Sequence, residues 1–327
     1  MKKADALDAR WSIPGTSEIA QMLDEKITRI ARSKFDVLIQ GEPGSGKRFF
    51  ASLIHLRSTR RTGDNFVEVT SQTPDGELRV ILFEEDRERQ EGMLGKSVPR
   101  LDDRSTLFIN HIEEFSRFDQ TRLARFLIQN NVVAGRRHSK SRVIISTWTS
   151  WSKLVEKKRV VDSLDQNVRE FELFVVPPLR DHWEDIPALV ELFLMQIPGN
   201  GIHYKLAVDS NALRTLQKRA WSDNVRELRM VVEEAVMNSD NGVVADLSKV
   251  LDDVEKVGEI IRTIQSGGRF SIEQSLEFLE KRFIHRALMR CSFDLGKTAR
   301  MLGLTEQNLR YRLRKYNLRN GHFTSKN

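Results

Sequence analysis

The chain has 327 residues and a formal net charge of +7; 39% of its residues are hydrophobic and 30% are charged, as in a folded globular protein. Its single cysteine, Cys291, excludes a disulfide within the chain and a zinc site built from several thiolates. No apolar run approaches the roughly 20 residues that a membrane-spanning helix needs, and the N-terminal residues lack the apolar core of a signal peptide. We therefore expect a cytoplasmic protein with no membrane segment and no metal site.

The positive charge is concentrated near the C-terminus. Residues 281–320 contain 11 lysines and arginines against two acidic residues, a net charge of +9, whereas the first 280 residues carry −3. One small basic domain of this kind is typical of a protein that binds a polyanion. A solvated basic face without a partner fits the charge equally well, so the sequence motifs have to decide.

Apolar patterns predict an α/β domain followed by helices. Short apolar runs predict strands at 35–39, 66–69, 106–109, 143–145 and 171–176. Helical spacing predicts helices between them, at 17–32, 49–56 and 120–128, and then at 186–195, 209–218 and 225–238. Because strands alternate with helices in the first part, we expect a parallel sheet covered on both faces.

A glycine-rich loop follows the first predicted strand and precedes a helix. It comprises Gly41, Glu42, Pro43, Gly44, Ser45, Gly46, Lys47 and Arg48. In a phosphate-binding loop, backbone N–H groups and the helix N-terminus surround the phosphates, and Lys47 would reach the terminal ones. The Ser or Thr that usually helps to hold magnesium is Arg48 here. Spacing and context favour this interpretation over an accidental turn and predict ATP or ADP, with or without Mg, as the ligand.

The C-terminal residues have the pattern of a helix-turn-helix. Gly303 suits the turn, and the Thr305 hydroxyl can cap the next helix. The residues predicted to face inward are Phe283, Ala287, Leu288, Ala299, Leu302, Leu309 and Leu313.

The outer face of this helix-turn-helix is basic and predicts contact with double-stranded DNA. We assign Gln307, Asn308 and Tyr311 to bases or the groove wall, because the N-terminal part of a recognition helix faces base edges. The other DNA-binding candidates are Lys297, Thr305, Arg310, Arg312, Arg314 and Lys315, of which the arginines and Lys315 would contact mainly phosphates. A basic hairpin that binds protein is the alternative. Two-fold half-sites favour at least a homodimer.

Several motifs in a fixed order resemble the AAA+ domain of bacterial enhancer-binding proteins, the activators of sigma-54 RNA polymerase. Besides the phosphate loop, they are Ile54-His55 with Ser58 and Arg60, Pro177-Pro178-Leu179-Arg180 with Glu184-Asp185-Ile186-Pro187, and Trp221 to Leu228. Residues 297–304 also resemble the Fis-type helix-turn-helix. The resemblance implies an AAA+ P-loop core with a helical lid and a small all-α DNA-binding domain, and it implies that Arg226 reaches the nucleotide phosphates.

This resemblance divides the chain into six expected parts. They are an N-terminal tail at 1–14, the AAA+ α/β core at 15–180, the helical lid at 181–245, a linker at 246–270, the Fis-like domain at 271–320 and a tail at 321–327.

The chain departs from the family pattern where the resemblance places catalysis. The family's second acidic motif ends in Asp-Glu, which orient magnesium and activate water, and the residues here are Asn110 and His111. An amide and an imidazole do not supply those charges, so we expect weak hydrolysis or none. Of the two intersubunit arginines, the second is kept as Arg169 and the first falls on Ser163. The polar sensor position falls near Thr149.

The loop that touches sigma-54 in the family corresponds to residues 88–93, with Gln90 and Glu91 where the family has an aromatic residue and a threonine. We therefore expect a DNA-binding regulator that works with the ordinary RNA polymerase. Two alternatives stay open: an active ATPase that remodels the sigma-54 polymerase, and an inactive subunit that joins related AAA+ regulators in higher oligomers.

Overall fold

A computed structural model of the chain contains two compact units, residues 1–185 with 221–226, and residues 186–220 with 227–327. The structure describes residues 12–33, 35–58, 65–83, 98–99, 101–102, 104–132, 141–197, 205–206, 216, 219–237, 243–244, 271–291, 293–316 and 318. None of the helices in these ranges is long and apolar enough to span a membrane.

The first unit is built on a five-stranded parallel sheet with the order β2-β3-β4-β1-β5. Its strands are β1 (Val37–Gln40), β2 (Phe66–Val69), β3 (Thr106–Ile109), β4 (Arg142–Thr147) and β5 (Glu172–Val175). Every residue of β3 and β4 is buried, which accounts for the apolar runs at 107–109 and 143–145 within them. The predicted parallel sheet is confirmed.

Helices cover both faces of this sheet. They are α1 (Glu18–Arg32), α2 (Lys47–Leu56), α3 (Asp75–Leu82), α4 (Arg117–Val132), α5 (Trp151–Glu156) and α6 (Asp162–Val168), with 3₁₀ segments at Ile112–Glu114 and Leu179–Asp185. The predicted helices correspond to α1, α2 and α4. The sequence pattern did not predict α3, α5 and α6, because their 8, 6 and 7 residues make too few turns to show apolar periodicity.

Alternate side chains of the first four strands enter two separate cores. Val37 and Ile39 of β1 pack with α1 and α2 on one face, whereas Leu38 packs with α3, α4 and α6 on the other. Burial on both faces leaves the carboxyl ends of the strands as the place where a ligand can bind, as in other open parallel sheets.

The described residues of the second unit are mostly helical. It contains α7 (Ile186–Gln196), the part of α8 (Asn224–Met237) that follows Arg226, a parallel pair of short strands at Lys205–Leu206 and Val243–Val244, and then α9 (Ile272–Arg290), α10 (Leu295–Met301) and α11 (Glu306–Lys315). The strand pair was not predicted. Apart from Leu216, the predicted helix at 209–218 lies outside the described residues, as does the predicted linker.

A buried carboxylate holds the start of α1 against the 3₁₀ segment Leu179–Asp185. Asp185 is 2% exposed and accepts hydrogen bonds from the Thr16 N–H at 3.0 Å, the Ser17 N–H at 2.9 Å and the Ser17 hydroxyl at 2.6 Å. The Ser17 hydroxyl also caps α1 by accepting from the Ala20 N–H. A Cβ on Gly15 would lie 2.2 Å from the Asp185 carboxylate, so this approach requires glycine.

We predict that Asp185→Ala lowers the free energy of unfolding by about 2–4 kcal/mol, because several charge-assisted hydrogen bonds to one buried group are lost together. Urea unfolding followed by tryptophan fluorescence measures the change. The matched control is Asp181→Ala, which removes an exposed carboxylate and is expected to change stability by less than about 0.5 kcal/mol. Equal stability of the two variants would contradict the anchoring role.

Candidate functional site

The glycine-rich loop joins the carboxyl end of β1 to the N-terminus of α2. Gly44 and Gly46 have φ angles of 70° and 92°, in the left-handed region that favours glycine. The Gly41 N–H donates to the Thr147 carbonyl at 3.2 Å, which attaches the loop to the end of β4. This strand–loop–helix arrangement is the one in which backbone N–H groups can surround a phosphate.

Lys47 provides a buried cation inside this loop. It is 4% exposed, and its ammonium group donates to the carbonyls of Gly41 at 2.8 Å and Glu42 at 3.0 Å. Burial lowers the pKa of Lys47 to about 8, with Glu113 favouring its charged form. The side chain therefore remains mostly a cation at neutral pH.

A three-residue cluster holds the outer side of the loop. The Arg180 guanidinium donates to both carboxylate oxygens of Glu42, at 2.6 and 2.8 Å, and the Asn224 amide donates to Glu42 at 3.2 Å. The hydrogen bond from Arg180 is the main reason that the pKa of Glu42 falls to about 2. Arg180 and Asn224 were not among the predicted site residues, although both lie in the motifs that carried the family resemblance.

Asn224 also links the loop to the segment 221–226. Its side chain is fully buried, accepts from the Leu179 N–H at 2.8 Å and donates to the Pro43 carbonyl at 2.9 Å. The segment approaches Gly44 so closely that a Cβ there would lie 2.0 Å from the Asp223 carbonyl oxygen. Only glycine fits this contact.

Arg226 lies beside the loop. Its backbone N–H donates to the Gly44 carbonyl at 3.2 Å. Its guanidinium group is 58% exposed and pairs with Asp223 at 3.2 Å. Both Arg226 and Lys47 are therefore at the loop, where two positive charges favour a phosphate ligand.

Asn110 lies at the carboxyl end of β3 and is held on both sides. Its amide nitrogen donates to Glu68 at 3.1 Å, and its oxygen accepts from the Ser146 hydroxyl at 2.7 Å. The Ser146 hydroxyl in turn accepts from the His111 N–H at 3.0 Å. Burial, and next the charge of Lys47, lower the pKa of His111, so both residues are uncharged at neutral pH.

Glu113 is an acidic residue at this edge that the sequence analysis missed. One carboxylate oxygen accepts from the Thr147 hydroxyl at 3.0 Å and the Trp148 N–H at 2.6 Å. The other is buried and has no hydrogen-bond partner among the described residues. Burial raises the pKa of Glu113. The sequence feature that could have revealed Glu113 is the acidic pair Glu113-Glu114, which is separated from Asn110-His111 by one residue.

The polar residues of β4 correct one expectation. The sensor position was predicted near Thr149, but Ser146 and Thr147 make the contacts to Asn110 and Glu113. The Thr149 N–H instead donates to the Thr147 hydroxyl at 3.2 Å. The reason is that β4 continues two residues beyond the predicted strand, to Thr147.

Arg169 lies on the surface after α6, and its guanidinium group is held by Asp165 at 2.6 Å. Asp165 also accepts from the Trp151 indole N–H at 2.8 Å. With 71% of its side chain exposed, Arg169 is accessible to another molecule. Ser163 stands where the resemblance places the first intersubunit arginine. Its backbone carbonyl accepts a hydrogen bond from the Asn167 side-chain amide at 2.7 Å.

The residues around the loop do not fit a magnesium ion. Arg48 stands where a hydroxyl ligand is usual, and it forms an ion pair with Glu68 at 2.5 Å. Asn110 supplies a neutral amide where the resemblance places an aspartate. Within the described ranges, no group of three or more His, Cys, Asp and Glu residues is placed to hold a metal ion.

The C-terminal helices form a helix-turn-helix with its own core. The residues packed in it include Ile284, Leu288, Ala299, Leu309, Leu313 and Tyr316. The Thr305 hydroxyl accepts from the Asn308 N–H at 3.2 Å, and Gly303 has a φ of 65°. The predicted cap, turn and inward positions of Leu309 and Leu313 are confirmed.

The prediction that Phe283 faces the core of this domain is wrong. Phe283 is 59% exposed, and Ile284 faces the core instead. The inward stripe of α9 consists of Ile284, Ala287 and Leu288, at the spacing i, i+3, i+4, and Phe283 lies one residue away from it.

The outer face of the helix-turn-helix is available to a ligand, with one exception. The exposed candidates are Lys297, Thr305, Gln307, Asn308, Arg310, Tyr311, Arg314 and Lys315. Arg312 is only half-buried and forms an ion pair with Glu280 of α9, which also accepts a hydrogen bond from the Tyr316 hydroxyl. Arg312 therefore connects α11 to α9.

Family models match the chain in three consecutive stretches. The Sigma-54 interaction domain matches residues 14–179, which is half of the chain. The chain belongs to this family. The AAA+ ATPase lid domain matches residues 180–258, and the helix-turn-helix of the bacterial regulatory proteins of the Fis family matches residues 275–316.

Two curated relatives resemble the chain over most of its length. The transcriptional regulatory protein XylR of Pseudomonas putida is 29% identical over 94% of this chain and 57% of its own length. The regulatory protein AtoC of Escherichia coli K12 is 29% identical over 94% of this chain and 68% of its own length. The chain thus spans little more than half of the first relative.

A solved structure supports the fold. NtrX from Brucella abortus in complex with ATP is 24% identical, covers 96% of this chain and 72% of its own, and gives a TM-score of 0.57. Together with the three family matches, this likeness agrees with an α/β AAA+ core, a helical lid and a C-terminal helix-turn-helix.

We predict that Asn224→Gly costs about 2–3 kcal/mol of stability, because the buried Leu179 N–H and Pro43 carbonyl lose their partner. Asn224 has a φ of 49°, so Asn224→Ala should cost roughly 1–2 kcal/mol more than the glycine variant. Urea unfolding separates the two contributions. A stability for Asn224→Gly equal to that of the unaltered protein would show that the amide does not hold the loop.

Proposed function

We propose that this chain is a sequence-specific DNA-binding transcription regulator whose AAA+ pocket binds ATP or ADP as a regulatory or structural ligand. Hydrolysis in this proposal is weak or absent. The observation that carries it is a contrast within one pocket. Lys47 is placed and charged for phosphate binding, whereas the hydrolytic positions Asn110 and His111 are uncharged and held by Ser146.

Three groups would hold the nucleotide. The N–H groups of the loop around Gly44 and Gly46 would surround the phosphates, and Lys47 and Arg226 would neutralise them. ATP and ADP fit this chemistry, because both offer phosphate oxygens to a glycine loop with a buried lysine. NtrX of Brucella abortus has been solved with each of these nucleotides, which supports the same ligand class here.

Rapid hydrolysis needs further groups, and the described pocket supplies them poorly. Phosphoryl transfer depends on a metal ion that neutralises charge and on a positioned water. Asn110 uses both ends of its amide on Glu68 and Ser146. Nucleotide binding and turnover can therefore be separated in this chain.

The exposed face of α11 supports DNA binding. Gln307 and Asn308 lie in its first turn, where a recognition helix meets base edges, and Arg310, Arg314 and Lys315 would contact phosphates. The +9 charge of residues 281–320 matches this role. The Fis family match covers the same helices.

An apolar stripe on α9 supports a homodimer. Ile272, Leu276 and Phe283 are 62%, 60% and 59% exposed and follow one another at helical spacing. A second copy would cover this stripe, and the dimer would present two recognition helices to the two halves of a DNA site.

We extend the proposal to independence from sigma-54. Residues 88–93, which lack the aromatic residue and threonine of the family's contact loop, lie outside the described residues. The rival function is an active ATPase that remodels the sigma-54 polymerase. Glu113 favours it, because a buried carboxylate near Lys47 is a candidate for the missing acidic group. The exposed Arg169 favours the third option, an inactive subunit in rings of related regulators.

The nucleotide proposal predicts ATP binding with turnover near background. A variant that restores the acidic pair, Asn110→Asp with His111→Glu, also needs Glu68→Gln, because a carboxylate at 110 would face Glu68 across the present 3.1 Å contact. We expect this variant to gain at least tenfold in turnover, equivalent to about 1.4 kcal/mol of barrier.

Binding is measured by calorimetry and turnover by phosphate release. The proposal would be contradicted if the unaltered protein hydrolysed ATP rapidly and the Glu113→Gln variant did not. The function as an ATPase that remodels the sigma-54 polymerase would then be favoured. Failure to bind either nucleotide would remove the ligand role altogether.

The DNA proposal predicts different effects for neighbouring side chains of α11. Once a site has been selected from random DNA, Arg310→Ala and Arg314→Ala should each weaken binding about tenfold and reduce the salt slope by about one. Gln307→Ala should instead reduce the difference in binding free energy between the preferred base and the other bases at its contact position by about 1–3 kcal/mol. Arg312→Ala should chiefly lower thermal stability, because it breaks the pair with Glu280.

Fluorescence anisotropy at several salt concentrations measures these effects. Arg29→Ala is the control of equal charge, since Arg29 lies on α1 in the other unit. If no DNA sequence is enriched over random competitors, the basic face binds another partner.

A further inference from the structure

The position that follows Lys47 carries a cation of its own. Arg48 is the second residue of α2, where phosphate loops place a Ser or Thr whose hydroxyl helps to hold magnesium. A guanidinium group has five N–H donors and no acceptor, so it cannot be a metal ligand. The chain therefore has a cationic side chain at this position instead of a hydroxyl group.

Glu68 holds the guanidinium group of Arg48 in position. The Arg48 Nε donates to one carboxylate oxygen of Glu68 at 2.5 Å, and the other oxygen accepts from Asn110 at 3.1 Å. The Arg48 side chain is 66% exposed, and its terminal nitrogens have no hydrogen-bond partner in the part of the chain that the structure describes. One edge of the guanidinium is thus held, and its remaining donors are accessible to an anion.

The neutral residue at position 110 is what permits this pair. An aspartate there would set a second carboxylate against Glu68, and like charges at that distance are unfavourable. The amide instead bridges Glu68 and Ser146, so that a chain of hydrogen bonds runs from Arg48 to the ends of β2, β3 and β4. The loss of the metal-orienting aspartate and the gain of Arg48 are therefore parts of one arrangement.

We propose that this pocket binds the phosphates of ATP or ADP without a divalent cation, with the Arg48 guanidinium, held by Glu68, in the place of the metal. The inference rests on the proposed nucleotide binding. Arginine suits the role because its planar fork donates two hydrogen bonds to one phosphate group. Lys47, Arg48 and Arg226 then supply the positive charge around the ligand.

Glu113 marks the opposing possibility within the same pocket. Its buried, unpartnered carboxylate oxygen could serve as one ligand of an ion bound beside Lys47. A metal held in this way would make binding depend on both magnesium and Glu113. The experiment therefore includes Glu113→Gln.

The test is calorimetric titration of the full chain with ADP, once with magnesium and once with excess EDTA. We expect the two dissociation constants to agree within about twofold, a difference below the energy of one hydrogen bond. Arg48→Ala should weaken binding in EDTA by about ten- to a hundredfold, as for the loss of a hydrogen bond between charged groups. Arg48→Lys should recover part of this loss. Arg29→Ala removes an arginine of similar exposure and should leave binding unchanged.

A combined variant, Arg48→Ser with Glu68→Gln and Asn110→Asp, should become dependent on magnesium, because it restores the two usual ligands. Thermal melting checks that each variant folds. Binding by the unaltered protein that weakens tenfold or more in EDTA, and is lost in Glu113→Gln, would overturn the inference and leave nucleotide binding intact. Absence of ADP binding in both buffers would reject the proposed nucleotide binding itself.

Discussion

The contact between the phosphate loop and the segment 221–226 is the constraint on which the rest of the pocket depends. The Asp223 carbonyl occupies the space that a side chain on Gly44 would need, and the buried Asn224 amide bonds to Glu42 and Pro43. This packing holds the loop closed around Lys47. Because the lysine is buried there, its pKa falls to about 8, which is still above neutral pH, so the side chain mostly keeps the positive charge that favours a phosphate ligand.

The opposite side of the pocket holds a cation and a neutral amide around one carboxylate. Arg48 donates to one oxygen of Glu68, and Asn110 donates to the other. Together they form a hydrogen-bonded chain anchored on three strands. This arrangement supports the proposal that the pocket holds an anionic ligand and hydrolyses it weakly or not at all.

The cationic side chains of the helix-turn-helix also have two different roles. Glu280 of α9 takes Arg312 and the Tyr316 hydroxyl, which join the recognition helix to the helix before it. Arg310, Arg314 and Lys315 remain exposed. One arginine thus supports the fold of the domain, and the others supply the charge that a polyanion would meet.

The sequence by itself determined the class of the fold, the place of the glycine-rich loop and the helix-turn-helix, because each depends on local spacing or residue type. Only the tertiary structure decided that Glu68 and Glu113 face the loop, that Asn224 closes it, that Phe283 is exposed and that Arg312 is paired. These outcomes depend on which residues of distant elements come within hydrogen-bond distance. Glu68 lies 42 positions before Asn110, and Asn224 lies 182 after Glu42. Local periodicity carries no information about contacts across such separations, since they are set by the order of strands and the packing of whole segments.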